Sequence, residues 1–264
     1  MAEKVTIPYL LNLKREKKPI VSATVYDYQM GCIMDRAGVD LILVGDTGGR
    51  FALGHKDNQS CTMEEMLIMT RSVARGAKRA FVVGDLPFMS YQVNTEEAIR
   101  NAGRFIQQAG ADGVKLEGGK RFAPVVEAIV SAGIPVLGHI GYTPMTTMGM
   151  ATVTTDQVVS DMDEEAILRD AHSIQDAGAF GIVLSRIPPP SAARITKELS
   201  IFTIGAHNAD GPAIGGTSNM LGMDASQIDK PTSRYGPVAR IIYEAMCQYI
   251  AEARAGKVPA RTIE

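Results

Sequence analysis

The stretch "QQAGADGVKLEGG", residues 107–119, closes one helical segment and opens one strand, and its pattern decides the fold. Gly110 stands where a helix terminus favours a left-handed residue, which glycine adopts without cost. The run after it alternates, so Val114 and Leu116 share one face of a strand while Lys115 and Glu117 share the other. If the apolar face packs beneath helices, the two charges point into an enclosed interior. An unpaired charge is costly there, so the lysine and the acid must be neutralised by each other, by a metal or by a ligand.

The phrase recurs as "DRAGVDLILVG" (35–45), "VSAGIPVLGH" (130–139) and "QDAGAFGIVLS" (175–185), each a helix end, a glycine and the next strand. Strands are predicted at 19–26, 41–46, 81–87, 113–118, 135–141, 181–186 and 202–207. Amphipathic helices fall between them, among them 63–77 and 95–110, the latter opened by Asn94 and Thr95 with acids in its first turn. Strands apolar on both faces alternating with helices imply a parallel sheet covered by helices. No Gly-x-Gly-x-x-Gly turn follows the first strand, which argues against a doubly wound dinucleotide-binding sheet. The expected fold is α/β, a single (β/α)8 TIM barrel over residues 1–264, with a short N-terminal extension to about residue 18. The eighth unit is irregular: "GPAIGGTSNMLGM" (211–223) is weakly patterned, and a closing helix follows at 237–256.

With 27 basic and 29 acidic residues the net charge is -2, which offers no field for holding nucleic acid or an anionic membrane. Small molecules are the expected partners. Cys32, Cys61 and Cys247 are scattered and form no Cys-x-x-Cys pair, so neither a disulfide framework nor a thiolate zinc site is indicated. The N-terminus lacks the apolar core of a signal peptide and no run of about 18 apolar residues occurs, so the protein is expected to be cytoplasmic.

In a parallel barrel the loops after the strands converge at one end and build the site. The strand ends carry Asp46 and Thr47, Asp85, Lys115 and Glu117, His139, Ser185 and His207. A lone Gly-Asp is commonly a turn former or a helix cap, but three carboxylates at neighbouring strand ends form a hard oxygen-donor set suited to Mg²⁺. His139 is read either as a hydrogen-bonded core histidine or as a donor to a substrate oxygen. His55 and His172 are given no role.

From residue 19 to 144 the chain resembles the ketopantoate hydroxymethyltransferase family of the phosphoenolpyruvate mutase/isocitrate lyase superfamily. The resemblance is carried by "AGVDLILVGDTGG", "TRSVARGAKRAFVVGDLPF", "SYQVNTEEAIRNAGRFIQQAGADGVKLEGG" and "AGIPVLGHIGYTP", and continues more thinly through "AARITKELSIFTIGA". It implies the barrel, Mg²⁺, a 2-oxo acid substrate, 5,10-methylenetetrahydrofolate as one-carbon donor in pantothenate biosynthesis, and a homo-oligomer. On the matching positions Asp46 and Asp85 would hold the metal, with Glu117 supporting it directly or through water. Lys115 and Thr47 would fix the substrate, Thr47 standing where the family usually has Ser.

One departure bears on the chemistry. The family takes a proton with a Glu at the end of the sixth strand, in a phrase like "VLE", whereas this chain reads "VLS" and the residue is Ser185. A serine hydroxyl is no unaided base near neutral pH, so His139, His207 or metal-activated water must replace it, or the reaction differs. The loops "MGMATVTTD" (148–156) and "GAHNADGPAIGG" (205–216) depart as well. The rival readings are a folate-independent C–C lyase or aldolase on another 2-oxo acid or 2-hydroxy diacid, and a non-catalytic oxo-acid-binding protein.

Overall fold

The computed structural model describes residues 3–147, 163–212 and 216–257, in two compact units, Met1–Ile214 and Gly215–Glu264. The departing loop at 148–156 lies outside the described residues.

The first unit is a parallel sheet of seven strands in sequential order: β1 (Ser22–Thr24), β2 (Leu41–Val44), β3 (Phe81–Asp85), β4 (Gly113–Glu117), β5 (Val136–Gly141), β6 (Gly181–Ser185) and β7 (Phe202–Ile204). These are the expected strands, trimmed where the residues beyond them turn into the site or cap the next helix. The helices between and around them are α1 (Ile7–Arg15), α2 (Tyr28–Ala37), α3 (Met63–Gly76), α4 (Thr95–Arg104), α5 (Ala123–Ser131), α6 (Glu164–Asp176) and α7 (Pro189–Glu198). Local chemistry explains their starts. Thr62 and Glu65 form a capping box on α3, and Asn94 caps α4 by accepting from the Glu97 amide at 2.8 Å. The stretch 95–110 is not one helix: after Arg104 it widens into a π turn, Phe105–Ala109, that ends on Gly110. Gly38, Gly110, Gly133 and Gly178 all have φ between +71° and +92°, so the glycine of each recurring phrase is the left-handed stop the sequence suggests.

Period-two alternation sorts the strands into two cores. Ile42, Val44, Val82, Val114, Leu116, Val136, Ile182 and Leu184 face outward beneath the helices. Leu41, Leu43, Phe81, Val83, Leu137, Val183, Phe202 and Ile204 fill the barrel interior. Within it Phe180 lies between Phe81 and Phe202, with ring centroids at 5.3 Å and 5.8 Å.

Two features go beyond the sequence reading. The N-terminal extension is a structured plug: Thr6 caps α1, which brings the buried Leu10 and Leu13 into the inner core. The eighth strand is reduced to an extended stub at Asp210–Pro212, in which Gly211 bridges Ile204 in parallel and Asp210 O accepts from the Ile20 amide at 3.0 Å. A Cβ on Gly211 would lie 2.3 Å from Ile20 O, so only glycine fits this seam between β7 and β1. Lys14 Nζ closes it from α1, 2.8 Å from Asp210 Oδ2.

The second unit contains the expected closing helix, α8 (Val238–Arg254), held to the segment before it by the Arg240 guanidinium, which donates to Ile228 O and Asp229 O.

Candidate active site

Register brings the charged residues together. Asp85 pairs with Lys115 across β3 and β4, and Glu117 pairs with His139 across β4 and β5. With Asp46 just beyond β2, all of these side chains are buried at the carboxyl end of the barrel, as the alternation in "GVKLEG" requires.

Lys115 Nζ donates to Asp85 Oδ2 at 2.6 Å, and the Asp46 amide donates to the same oxygen at 3.2 Å. Asp85 Oδ1 has no partner. Asp46 is held likewise on one side: Oδ1 accepts from Asn58 Nδ2 at 3.1 Å and Oδ2 has none. Glu117 Oε2 lies 3.5 Å from His139 Nδ1, too long to satisfy that nitrogen. The Glu117 carbonyl accepts from the Tyr91 hydroxyl at 2.9 Å. Among the described residues, therefore, no three His, Cys, Asp or Glu side chains form a ready-made metal cage. The structure presents two open carboxylate oxygens on adjacent strands, with Glu117 beside them.

Electrostatics shows what the arrangement lacks. With every group ionised, three buried carboxylates (Asp46, Asp85, Glu117) face one buried ammonium (Lys115), an excess of two negative charges. Burial, compounded by the Asp85 carboxylate, pushes the Asp46 carboxyl up to about 7. Desolvation alone would lower the Lys115 pKa, but Asp85, Asp46 and Glu117 outweigh it and hold the amine charged, above its ordinary value. Burial, aided by the charge on Lys115, lowers His139 below the usual imidazole range, so it stays neutral. A divalent cation matches the charge excess, and Mg²⁺ characteristically uses one or two carboxylates and leaves its other positions to water and substrate. The two open oxygens fit that demand.

The other expected residues fall in different places. Thr47 Oγ1 lies 2.9 Å from the Tyr26 hydroxyl, beside the cluster. The glycines after it are packed tightly: a Cβ on Gly48 would meet Met69 and Tyr26 at 2.7 Å. Ser185 ends β6 half-buried, its carbonyl accepting from the Tyr142 amide at 2.9 Å. His207 is exposed on the turn after β7. Sequence reasoning missed Asn58, Tyr26 and Tyr91. Nothing marks Asn58 within "KDNQSC", since a polar loop residue carries no periodic signal.

Comparison with known proteins identifies the family. The model of the family described as ketopantoate hydroxymethyltransferase matches residues 4–261. A 3-methyl-2-oxobutanoate hydroxymethyltransferase of Pelobacter propionicus is 44% identical over 265 residues, covering 98% of this chain and 96% of the relative. One from Syntrophus aciditrophicus is 42% identical over 259 residues, covering 97% of this chain and 94% of the relative. Among solved structures, phosphonopyruvate hydrolase in complex with oxalate and Mg²⁺ superposes with a TM-score of 0.61 at 12% identity, over 96% of this chain and 91% of that one. A 2,3-dimethylmalate lyase of the PEP mutase/isocitrate lyase superfamily does so with a TM-score of 0.57 at 14% identity, over 98% and 90%. At these identities the structural likenesses speak to the fold alone. The match across the full described barrel and the relatives above 40% identity decide the matter: the chain belongs to the ketopantoate hydroxymethyltransferase family.

Proposed function

We propose that this enzyme adds a hydroxymethyl group from 5,10-methylenetetrahydrofolate to 3-methyl-2-oxobutanoate, with Mg²⁺ at the strand ends. The observation that carries the reading is the pair of buried, unpartnered oxygens, Asp46 Oδ2 and Asp85 Oδ1, in a chain of this family. Asp46 and Asp85 would hold the cation, with Glu117 supporting it directly or through water. When bound, the cation supplies Lewis-acid charge for the ketone and carboxylate oxygens of a 2-oxo acid.

The chain's own residues supply the rest. Lys115, kept charged by its three acidic neighbours, offers its remaining N–H groups to the substrate oxygens on which negative charge develops. The hydroxyl pair of Thr47 and Tyr26 positions the substrate from the β2 side. The C3 proton needs an acceptor and Ser185 is not one. His139 is neutral, and its Nδ1 has no hydrogen-bond partner, so it takes the proton; the Glu117 carboxylate then stabilises the imidazolium. The electron pair left on C3 forms the bond to the donated carbon; over the whole reaction both C–N bonds of that carbon to the donor break, one water supplies the hydroxyl oxygen, and tetrahydrofolate leaves with the C3 proton and one proton of that water on its two nitrogens. The protein is further proposed to work in the cytoplasm as a homo-oligomer, which sizing of the purified chain checks. No helix among the described residues is long and apolar enough to cross a membrane.

Proton NMR in D₂O with 3-methyl-2-oxobutanoate and Mg²⁺, with and without the folate donor, tests this. The expected result is chelator-sensitive loss of the C3 proton signal, and hydroxymethylated product only when donor is present. Exchange or cleavage of a 2-hydroxy diacid without product from the donor would establish the second reading, a folate-independent C–C lyase, which Ser185 favours. Ser185→Glu discriminates further: a carboxylate there raises transfer by about 10²- to 10⁴-fold if β6 remains a competent base position.

A further inference from the structure

We infer that Asn58 is a positioning residue that fixes the orientation of the Asp46 carboxylate, so that one of its oxygens stays open to the site, and that residues 53–61 form the strap that holds Asn58 in place. The inference rests on the proposed metal role of Asp46. A carboxylate is a two-fold rotor with interchangeable oxygens, so an unrestrained Asp46 would spread its lone pairs over several directions. Asn58 Nδ2 donates to Oδ1 at 3.1 Å, tying that oxygen and leaving Oδ2 open. Asn58 is itself buried, so water cannot replace its hydrogen bond without cost. The residue type suits this role, because an amide donates without bringing a positive charge and so orients the carboxylate while preserving the negative excess that a cation requires. A lysine there would compete with the cation.

The segment is built to hold that amide still. Its start is fixed by the His55 amide on Gly49 O at 2.8 Å and by His55 Nε2 beside Glu65 Oε1 at 2.9 Å. Its middle is folded on itself, with Asp57 Oδ1 accepting from both the amide and the hydroxyl of Ser60, and the Cys61 amide donating to Asn58 O. Gln59 Nε2 then donates to Pro144 O, beyond β5, at 3.3 Å. Neighbouring residues of one loop thus grip the ends of β2 and β5, and the strands between them in the sheet are β3 and β4, which carry Asp85, Lys115 and Glu117. The strap therefore spans the rim of the charged cluster.

The test is Mn²⁺ titration of the purified enzyme, read by the electron paramagnetic resonance signal of the free ion, for wild type, Asn58→Leu, Asn58→Ser and Asp46→Asn. Loss of a hydrogen-bond partner of a metal ligand typically weakens metal binding by about 10- to 100-fold, and Asn58→Leu is expected in that range. Asn58→Ser, which keeps a donor, should fall between Leu and wild type, and Asp46→Asn should bind weakest. Turnover of Asn58→Leu should recover as Mg²⁺ is raised at a temperature where circular dichroism shows the metal-free variant folded, so that recovery reports metal affinity and not stability. Wild-type affinity in Asn58→Leu alongside weakened Asp46→Asn overturns the inference and leaves the metal reading standing. Wild-type affinity in Asp46→Asn overturns the metal reading itself. Should Asn58→Leu fail to fold, Asn58→Ser decides the question on the same two outcomes.

Discussion

The two ends of this barrel use the same side chains to opposite effect. At the amino end Lys4 meets Asp112 at 2.6 Å and Arg79 meets Asp40 at 3.0 Å. Asp112 also accepts from the Val82 amide, Asp40 from the Val21 amide, and Asp35 from the amides of Arg79 and Ala80. At the carboxyl end Asp46 and Asp85 are each half satisfied, and they hold the only buried carboxylate oxygens without a partner among the described residues. Satisfied charge staples strand starts to helix ends and contributes to stability. Unsatisfied charge, crowded around one lysine, is a demand for a ligand.

Breaking the comparison at its strongest point means removing Asp85. Asp85→Ala removes the hydrogen-bond acceptor of the buried Lys115 ammonium, so it should cost about 1–3 kcal/mol in chemical denaturation and lower turnover by about 10³-fold or more. A next, smaller effect comes from supplying what the carboxyl end lacks. Mg²⁺ at about 100 times its Kd should raise stability by about 2.7 kcal/mol in a thermal melt, reversed by chelator and absent in Asp46→Asn. The amino end should answer differently. Asp112→Ala leaves the Val82 amide without its side-chain acceptor and Lys4 with only Ala80 O, and should cost about 1–3 kcal/mol of stability while kcat, measured well below the melting temperature, stays at wild type. A fall in kcat there would collapse the distinction between the ends.

The smallest effect is one of pH. Burial alone would raise the pKa of Asp35, but the amides of Ala80, Lys78 and Arg79 outweigh it and hold the carboxyl below its ordinary value. A depressed folded pKa means the ionised form is favoured in the folded state. The stabilisation is therefore present above the unfolded pKa of about 3.9 and is lost as pH falls through the folded value. Denaturant melts of wild type and Asp35→Ala should differ at pH 7 and converge as the pH drops below about 4; a gap that persists undiminished at low pH would mean that ionisation is not its source.

How far the sequence reaches follows from the same contrast. The strands, the inward pair Lys115 and Glu117, and the glycine stops were legible, because alternation and left-handed caps are local properties of a few adjacent residues. The grouping of Asp46, Asp85 and Lys115 followed from the rule that barrel loops converge at the strand ends. What was not legible depends on register and on loop paths. Glu117 faces His139 because β4 and β5 pair with that offset, and Asn58 reaches Asp46 because a loop doubles back on itself. The helical plug α1 was hidden because one turn of capping, Thr6 before Pro8, was obscured by the surrounding charges. The eighth strand eluded pattern reading because three residues, one of them a glycine, are too few to show a period.

That stub has a consequence for the order of events in making the protein. It unites Lys14 and Ile20 with Asp210, across 196 positions in the case of Lys14, whereas the other strand pairings join consecutive strands. Contacts between near neighbours in the chain form early, and distant ones are slow because a long loop must be closed first. During synthesis the first strands and their helices therefore have partners while the ribosome is still adding residues, but the cylinder stays an open, curling ribbon until Asp210 emerges. Its two raw edges, β1 and β7, are meanwhile the surfaces most exposed to wrong pairing. Gly211 is thus a clasp as much as a spacer, and a substitution there should show itself first as aggregation during expression, before any loss in the enzyme that survives.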